Sequence, residues 1–294
     1  MTSVITALAE ISGRYDAVYC DLWGCLHNGR APFPEAVAAL GAYRAAGGTV
    51  VLLTNAPRPA PGVVAALDRL GVPRAVYDLV VTSGDATQGA LVAGLAGARV
   101  WHLGPAKDDT LFTDPAPEYA GGTMPERVEL AEADAIVCTG PFDDLTETPA
   151  EYRARFLMAR TRGLPMFCAN PDLVVDYGTQ RIHCAGSLAA LYEEMGGETF
   201  YFGKPHPPVY DLAQRRLATH LGRDIPADRI LAIGDGPATD IAGAQGEGID
   251  ALFVTDGLAA GSFGPDRDHP DPALLKPWLA TRGLAPRHAI GRLR

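Results

Sequence analysis

Four short polar clusters in this sequence each follow directly on a run of apolar residues. The first is Asp21-Leu22-Trp23-Gly24-Cys25-Leu26, a carboxylate at the end of the run that begins at Ala17, followed at once by a Gly-containing turn. Ligands of open α/β sheets bind at the carboxyl ends of strands. Asp21 is therefore a candidate for chemistry, although an Asp here could equally cap a turn. The second is Thr54-Asn55, after Val50 to Leu53. A hydroxyl and an amide at a strand end can donate hydrogen bonds to an anion, and Asn before Ala-Pro is also ordinary turn chemistry. The third is Gly203-Lys204-Pro205-His206-Pro207. A lysine between Gly and Pro sits on a tight, rigid turn and could hold a fixed ammonium against a phosphoryl group; the alternative is a solvated surface lysine. The fourth is Gly234-Asp235-Gly236-Pro237-Ala238-Thr239-Asp240-Ile241, where two carboxylates flank a Gly-Pro turn. Mg²⁺ takes oxygen ligands, typically one or two carboxylates with water and phosphate. This cluster is the most specific of the four.

The elements that must position these clusters are legible as short buried strands alternating with helices. Ala17 to Leu22, Thr49 to Leu53 and Leu79 to Val81 read as strands. Val37, Leu40 and Tyr43, and then Val63, Val64, Leu67 and Leu70, recur at helical spacing between them. Gly47-Gly48 and Gly71 stop those helices. This order implies a parallel sheet with helices on both faces. The pattern returns with strands at Phe200 to Phe202, Ile230 to Ile233 and Ala251 to Val254, and a helix carrying Tyr210, Ala213, Leu217 and Leu221. The middle has strands of its own at Ala98 to Leu103, Ala135 to Cys138 and Pro165 to Cys168. It is long enough to be a domain. The expected fold class is α/β, a Rossmann-like doubly wound parallel-sheet core with an inserted α/β cap. The expected division is core over 1–83, cap over 84–186 and core again over 187–294. Met1 to Tyr15 reads as an amphipathic lead-in helix without the basic start of a signal peptide.

In this order, the four clusters resemble the haloacid-dehalogenase-like superfamily. The resemblance is to subfamily IIA, whose α/β cap is inserted between the second and third motifs, and which is similar to p-nitrophenyl, phosphoglycolate and pyridoxal phosphate phosphatases. Thr82-Ser83, Asn170-Pro171-Asp172 and Gly186-Ser187-Leu188 match as well, so the resemblance runs over essentially the whole chain. It implies that Asp21 attacks phosphorus to give an aspartyl-phosphate that water hydrolyses. It implies that Thr54 and Asn55 bind phosphoryl oxygens and that Lys204 balances charge. Mg²⁺ would be held by Asp21, Asp235 and the backbone carbonyl of Trp23, with Asp240 orienting metal-bound water. Asn170, Asp172, His183 and Trp23 are the expected substrate-facing residues, Asn170 and Asp172 being first of all a turn. Dimerisation through the cap is an expectation by analogy.

One position departs from the pattern. Most phosphatases of the superfamily carry a second Asp two places after the nucleophile, where it protonates the leaving oxygen; here it is Trp23. Indole is a hydrogen-bond donor only. General acid–base help contributes about 10²–10⁴ in rate. A backbone metal ligand survives the change, so the substitution bears on turnover more than on binding. His27 is a candidate replacement acid, or an exposed loop histidine. Trp23 could wall the substrate pocket or pack beside the cap hinge. The leading reading is a phosphatase acting on a small phosphorylated metabolite. The alternatives are a low-turnover protein that binds such a metabolite, and a carbon-centred, dehalogenase-like hydrolase, against which the Asp235/Asp240 pair argues.

Composition sets the outer bounds. The chain has 294 residues, is 47% hydrophobic and carries a formal charge of −10. That balance offers no long-range attraction to nucleic acid or anionic lipid, so a phosphorylated ligand needs a local cation. No uncharged apolar run is long enough to span a membrane. Cys20, Cys25, Cys138, Cys168 and Cys184 are odd in number and lack a CxxC pair, which suits buried reduced thiols in a cytoplasmic protein. The acidic loop Asp108 to Asp114 reads as solvated surface.

Overall fold

The computed structural model describes residues 2–177 and 180–294. The chain divides into two compact units, one of Met1–Thr54, Ala66–Val81 and Tyr210–Arg294, the other of Asn55–Ala65 and Thr82–Val209.

The first unit is built on a seven-stranded sheet. Its spatial order is Ser3–Val4, His288–Ile290, Asp250–Val254, Ile230–Gly234, Ala17–Cys20, Thr49–Thr54, Leu79–Thr82. The pairings from Ser3–Val4 across to Thr49–Thr54 are all parallel. Parallel neighbours need crossovers, and helices Pro34–Ala45, Ala60–Leu70 and Pro272–Ala280 lie in three of them. Every residue of Ala17–Cys20, Thr49–Thr54 and Ile230–Gly234 is buried. Central parallel strands are covered on both faces, which is why they read as unbroken apolar runs rather than alternating ones. Cys20 pairs with Ile233, and the Asp21 amide donates to the Ile233 carbonyl at 2.8 Å. From these two neighbouring strands the chain leaves in opposite directions, one towards Thr49–Thr54 and the other towards Asp250–Val254. That makes their carboxyl ends a topological switch point.

The second unit has a five-stranded parallel sheet in the order Thr199–Tyr201, Met166–Cys168, Ala135–Cys138, Arg99–Leu103, Glu126–Arg127. Ile136, Cys138, Met166, Cys168, Tyr152, Phe156, Leu188 and Tyr192 are among the buried residues of its core. A two-stranded antiparallel hairpin, Val174–Tyr177 with Gln180–His183, belongs to the same unit. The helix Ser83–Val92 opens with a capping box, the Asp85 amide donating to Thr82 Oγ1 at 2.9 Å. Gln88 is buried in it, donating to the Leu111 and Asp114 carbonyls and accepting from the Ala116 amide.

The compact units differ in extent from the expected division, the second reaching Val209 and taking in Asn55–Ala65. The cause is pairing: Thr199–Tyr201 joins Met166–Cys168, carrying the helix Ala185–Glu194 with it. The lead-in segment is not a helix. It forms the strand Ser3–Val4 and two 3-10 turns, Leu8–Glu10 and Ser12–Arg14, and the Glu10 carboxylate accepts from the Thr6 and Ala7 amides, closing the backbone locally. Asp108 is not solvated. It is 2% exposed, with Arg58 Nε 3.5 Å away, and burial raises its carboxyl to about 6. All five cysteines are free and buried. No helix of the described residues is long and apolar enough to cross a membrane.

Leu52 has no exposed surface in the first core and Phe156 none in the second. Leu52→Ala is expected to lower stability by about 2–5 kcal/mol and Phe156→Ala by about 3–5 kcal/mol, read from denaturant unfolding. Loss of less than 1 kcal/mol in either would contradict this packing.

Candidate active site

In the first unit the chain leaves the strand Ala17–Cys20 through a small closed loop. The His27 amide donates to the Leu22 carbonyl at 3.0 Å and the Gly24 amide to the His27 carbonyl at 3.0 Å. The reversal needs Gly24, whose φ is 74°; a Cβ there would also stand 2.2 Å from Asp235 Oδ2. Asp21 thus lies at one strand end and Asp235 at the end of the neighbouring strand. Each offers a carboxylate oxygen, and with the Cys25 sulfur these atoms lie within 4.8 Å of one another. Asp21 is 9% exposed and Asp235 5%.

The donor set fits a hard divalent cation. Two ionised carboxylates this close repel by about 4 kcal/mol at an effective dielectric of about 20. Burial first, and the Asp235 and Asp21 carboxylates after it, push the Cys25 thiol well above the usual range, so the two carboxylates are the charged donors of the set. The Asp235 carboxylate is closely cradled. The Leu258 amide donates to its Oδ2 at 2.8 Å, and a Cβ on Gly257 would come within 1.9 Å of that oxygen. Asp240 is buried but falls outside the three-residue group. Its Oδ2 accepts from the Gly236 amide at 3.0 Å, which fixes the turn carrying Asp235. Thr54 ends its strand buried, at 2% exposure.

Trp23 and His27 pack on each other. Their ring centroids are 5.2 Å apart in an edge-to-face arrangement, and a Cβ on Gly29 would meet the Trp23 ring at 2.3 Å, so the half-buried indole packs closely against that glycine. His27 is not an exposed loop histidine. It is 4% exposed and its Nδ1 accepts from the Gly29 amide at 3.1 Å. Burial lowers its pKa to about 4, so at neutral pH the ring is uncharged and is no replacement acid.

In the second unit Asn55, Lys204 and Asp172 meet. The Lys204 amide donates to Asn55 Oδ1 at 2.7 Å; Asn55 Nδ2 donates to the Lys204 carbonyl at 3.0 Å and to Asp172 Oδ1 at 2.9 Å. Both amide hydrogens of Asn55 are thereby engaged. The Asn55 side chain clamps the backbone of the lysine. Gly203 allows the approach, since a Cβ there would be 2.4 Å from Asn55 Oδ1 and 2.8 Å from Ser83 Oγ. Lys204 is 3% exposed, so it is not the solvated lysine of the alternative reading. Asn170-Pro171-Asp172 is the expected turn, the Asp172 amide donating to Asn170 Oδ1 at 3.0 Å. His183 ends the hairpin, half-buried, with Nδ1 buried and without a hydrogen-bond partner.

Sequence reasoning missed the Leu258 amide and the glycine cradle. The Asp256-Gly257 pair directly after a strand was the available signal; a backbone donor has none.

Comparison with known proteins identifies the family. Residues 18–114 match the haloacid dehalogenase-like hydrolases and residues 201–275 a second, HAD-hydrolase-like family. A solved hydrolase of the haloacid dehalogenase-like family from Brucella suis 1330 is 40% identical, with a TM-score of 0.85, covering 99% of this chain and 100% of that one. The chain belongs to the haloacid dehalogenase-like hydrolase family. It is 30% identical over 256 residues to the D-glycerol 3-phosphate phosphatase of Mycobacterium tuberculosis (strain ATCC 25618 / H37Rv), spanning 85% of this chain but 66% of that protein's length. Crystal structures of glycerol phosphate phosphatase from Mycobacterium tuberculosis in complex with calcium and with magnesium each match at 27% identity and a TM-score of 0.62. They cover 84% of this chain and 68% and 70% of theirs.

The His27 shift has a consequence for stability. An unfolded His27 titrates near 6.5 and the folded one near 4. Between those values the unfolded chain binds the proton and the native one does not. The contribution is therefore whole above about 6.5 and lost as pH falls towards about 4. His27→Gln is expected to flatten the stability–pH curve over that range by up to about 1.4 kcal/mol per pH unit. Unfolding curves of the two proteins at a series of pH values check this, and parallel curves would contradict it.

Proposed function

We propose that this chain is a Mg²⁺-dependent phosphatase that releases phosphate from a small phosphorylated metabolite through a phosphorylated Asp21. The observation that carries the reading is the meeting of Asp21 and Asp235 oxygens within 4.8 Å at the ends of adjacent strands. Asp21, Asp235 and the Trp23 carbonyl would hold the cation. Bound there, Mg²⁺ would offset carboxylate charge and polarise a phosphoryl oxygen. An Asp21 oxygen attacks phosphorus; the bond to the leaving oxygen breaks, and that oxygen departs with its electron pair and takes a proton from water. Water then cleaves the acyl phosphate and restores the carboxylate. Thr54 is proposed to donate to a phosphoryl oxygen, and Lys204 to balance its charge. The Asn55 clamp supports the latter role by fixing the lysine's backbone. Asp172, tied to Asn55, is proposed to act with Asn170 and His183 in substrate selection. The similarity to a phosphatase of glycerol 3-phosphate, and to structures of it with calcium and magnesium, supports a small phosphate ester and a hard cation.

A second reading is favoured by one observation: Trp23 offers no acid, and the neighbouring His27 is uncharged at neutral pH. On this reading the chain binds a phosphorylated metabolite with little turnover. Phosphate release from an aryl phosphate with Mg²⁺ separates the two. Asp21→Asn is expected to lower kcat by about 10³-fold or more, on the scale of nucleophile deletions. A wild-type rate no greater than that of Asp21→Asn would sink the phosphatase. Trp23→Asp is expected to raise kcat on an alkyl phosphate by about 10²-fold. No gain in a folded variant would show that the missing acid is not what limits the rate.

A further inference from the structure

We propose that Asp256, gripped by Arg292 and Arg267, is a positioning residue for Asp235 and thereby for the cation; the second half of this statement rests on the function proposed above. Asp256 lies just past the strand Asp250–Val254, and its side chain is 8% exposed. Arg292 Nε donates to its Oδ2 at 2.7 Å and Arg267 Nη1 to its Oδ1 at 3.1 Å. Each carboxylate oxygen thus has its own guanidinium. The backbone adds two further ties: the Thr255 amide donates to the Ile290 carbonyl and the Asp256 amide to the Gly291 carbonyl, both at 2.9 Å. One side of this turn is therefore fastened to the segment that carries Arg292.

The other side of the turn meets the site. Gly257 lies so close to the Asp235 carboxylate that no side chain fits between them, and the Leu258 amide donates to Asp235 Oδ2 at 2.8 Å. Two residues of backbone join the clamped carboxylate to the one that faces the cation site. A cavity of about 570 Å³ is lined by Gly24 and Cys25 from the Asp21 loop, by Asp256 from this turn and by Arg292, so the clamp lies beside the site. Isolated surface ion pairs contribute little. Here a nearly buried acceptor is shared by two arginines on a turn with further backbone bonds, so breaking it frees the Leu258 donor to move. Partners of that kind around a metal ligand typically account for about 10- to 100-fold in metal affinity.

Two measurements on wild type, Asp256→Asn and Arg292→Gln decide the matter. The first is amide hydrogen exchange at Leu258 in the metal-free protein, expected to be at least about 10-fold faster in both variants as its bond to Asp235 opens more often. The second is the Mg²⁺ dissociation constant by calorimetric titration, expected to weaken by about 10- to 100-fold in Asp256→Asn and by a smaller factor in Arg292→Gln. Unchanged exchange at Leu258 overturns the clamp. Faster exchange with a Mg²⁺ constant within twofold of wild type overturns its link to the cation. A wild-type chain that binds no Mg²⁺, or an Asp235→Asn variant that binds it equally well, overturns the proposed metal site, and the clamp is then decided by the exchange measurement alone. Should Asp256→Asn fail to fold, Arg292→Gln, half-exposed and away from the core, carries both readouts.

Discussion

Two like charges held together by the backbone organise the first unit. Asp21 and Asp235 are not drawn to each other. They meet because Cys20 and Ile233 are register partners and each acidic residue follows directly, or nearly so, on a buried strand. The strands lie about 4.8 Å apart, and the surroundings of the pair are arranged to keep it there. Glycine at 24 and 257 removes the side chains that would push the Asp235 carboxylate away, and the Leu258 amide holds one of its oxygens. Such an arrangement destabilises the empty fold and favours a bound cation, which is how a protein converts sheet geometry into metal affinity.

The second unit solves a different problem, that of keeping a lysine in place where it is almost wholly buried. Asn55 does so by reading the backbone of Lys204 in both directions, and its remaining amide hydrogen goes to Asp172. A side chain that recognises main chain is indifferent to rotamer changes in its partner. The lysine's point of attachment is thereby fixed.

Much of this was legible in the sequence where buried strands run into polar turns. The runs ending at Asp21, Thr54 and Asp235 announced themselves because central parallel strands must be apolar on both faces. Elements that depend on distant partners were not legible. Ser3–Val4 and His288–Ile290 are too short to carry periodicity and exist because they pair with each other and with Asp250–Val254. The helix Ser83–Val92 hides behind buried Asp85, Thr87 and Gln88, whose polarity is satisfied by backbone groups that a sequence does not display. At the site, residue types were readable and partners were not. Asn55, expected on an anion, has a side chain that also grips the Lys204 backbone; His27, expected in water or as an acid, is buried, and burial lowers its pKa.

The strand His288–Ile290 also bears on the order in which the chain can fold as it is made. It sits between Ser3–Val4 and Asp250–Val254, and its end receives the bonds from Thr255 and Asp256. Every strand of the second sheet, by contrast, has been synthesised once Tyr201 has left the ribosome. The inserted unit can therefore complete its own core during translation, while the sheet bearing Asp21 stays unfinished until some ninety residues later, at the slow pace of elongation. The loop bearing Asp21, made before the inserted unit, thus gains its completed sheet only after that unit has its own.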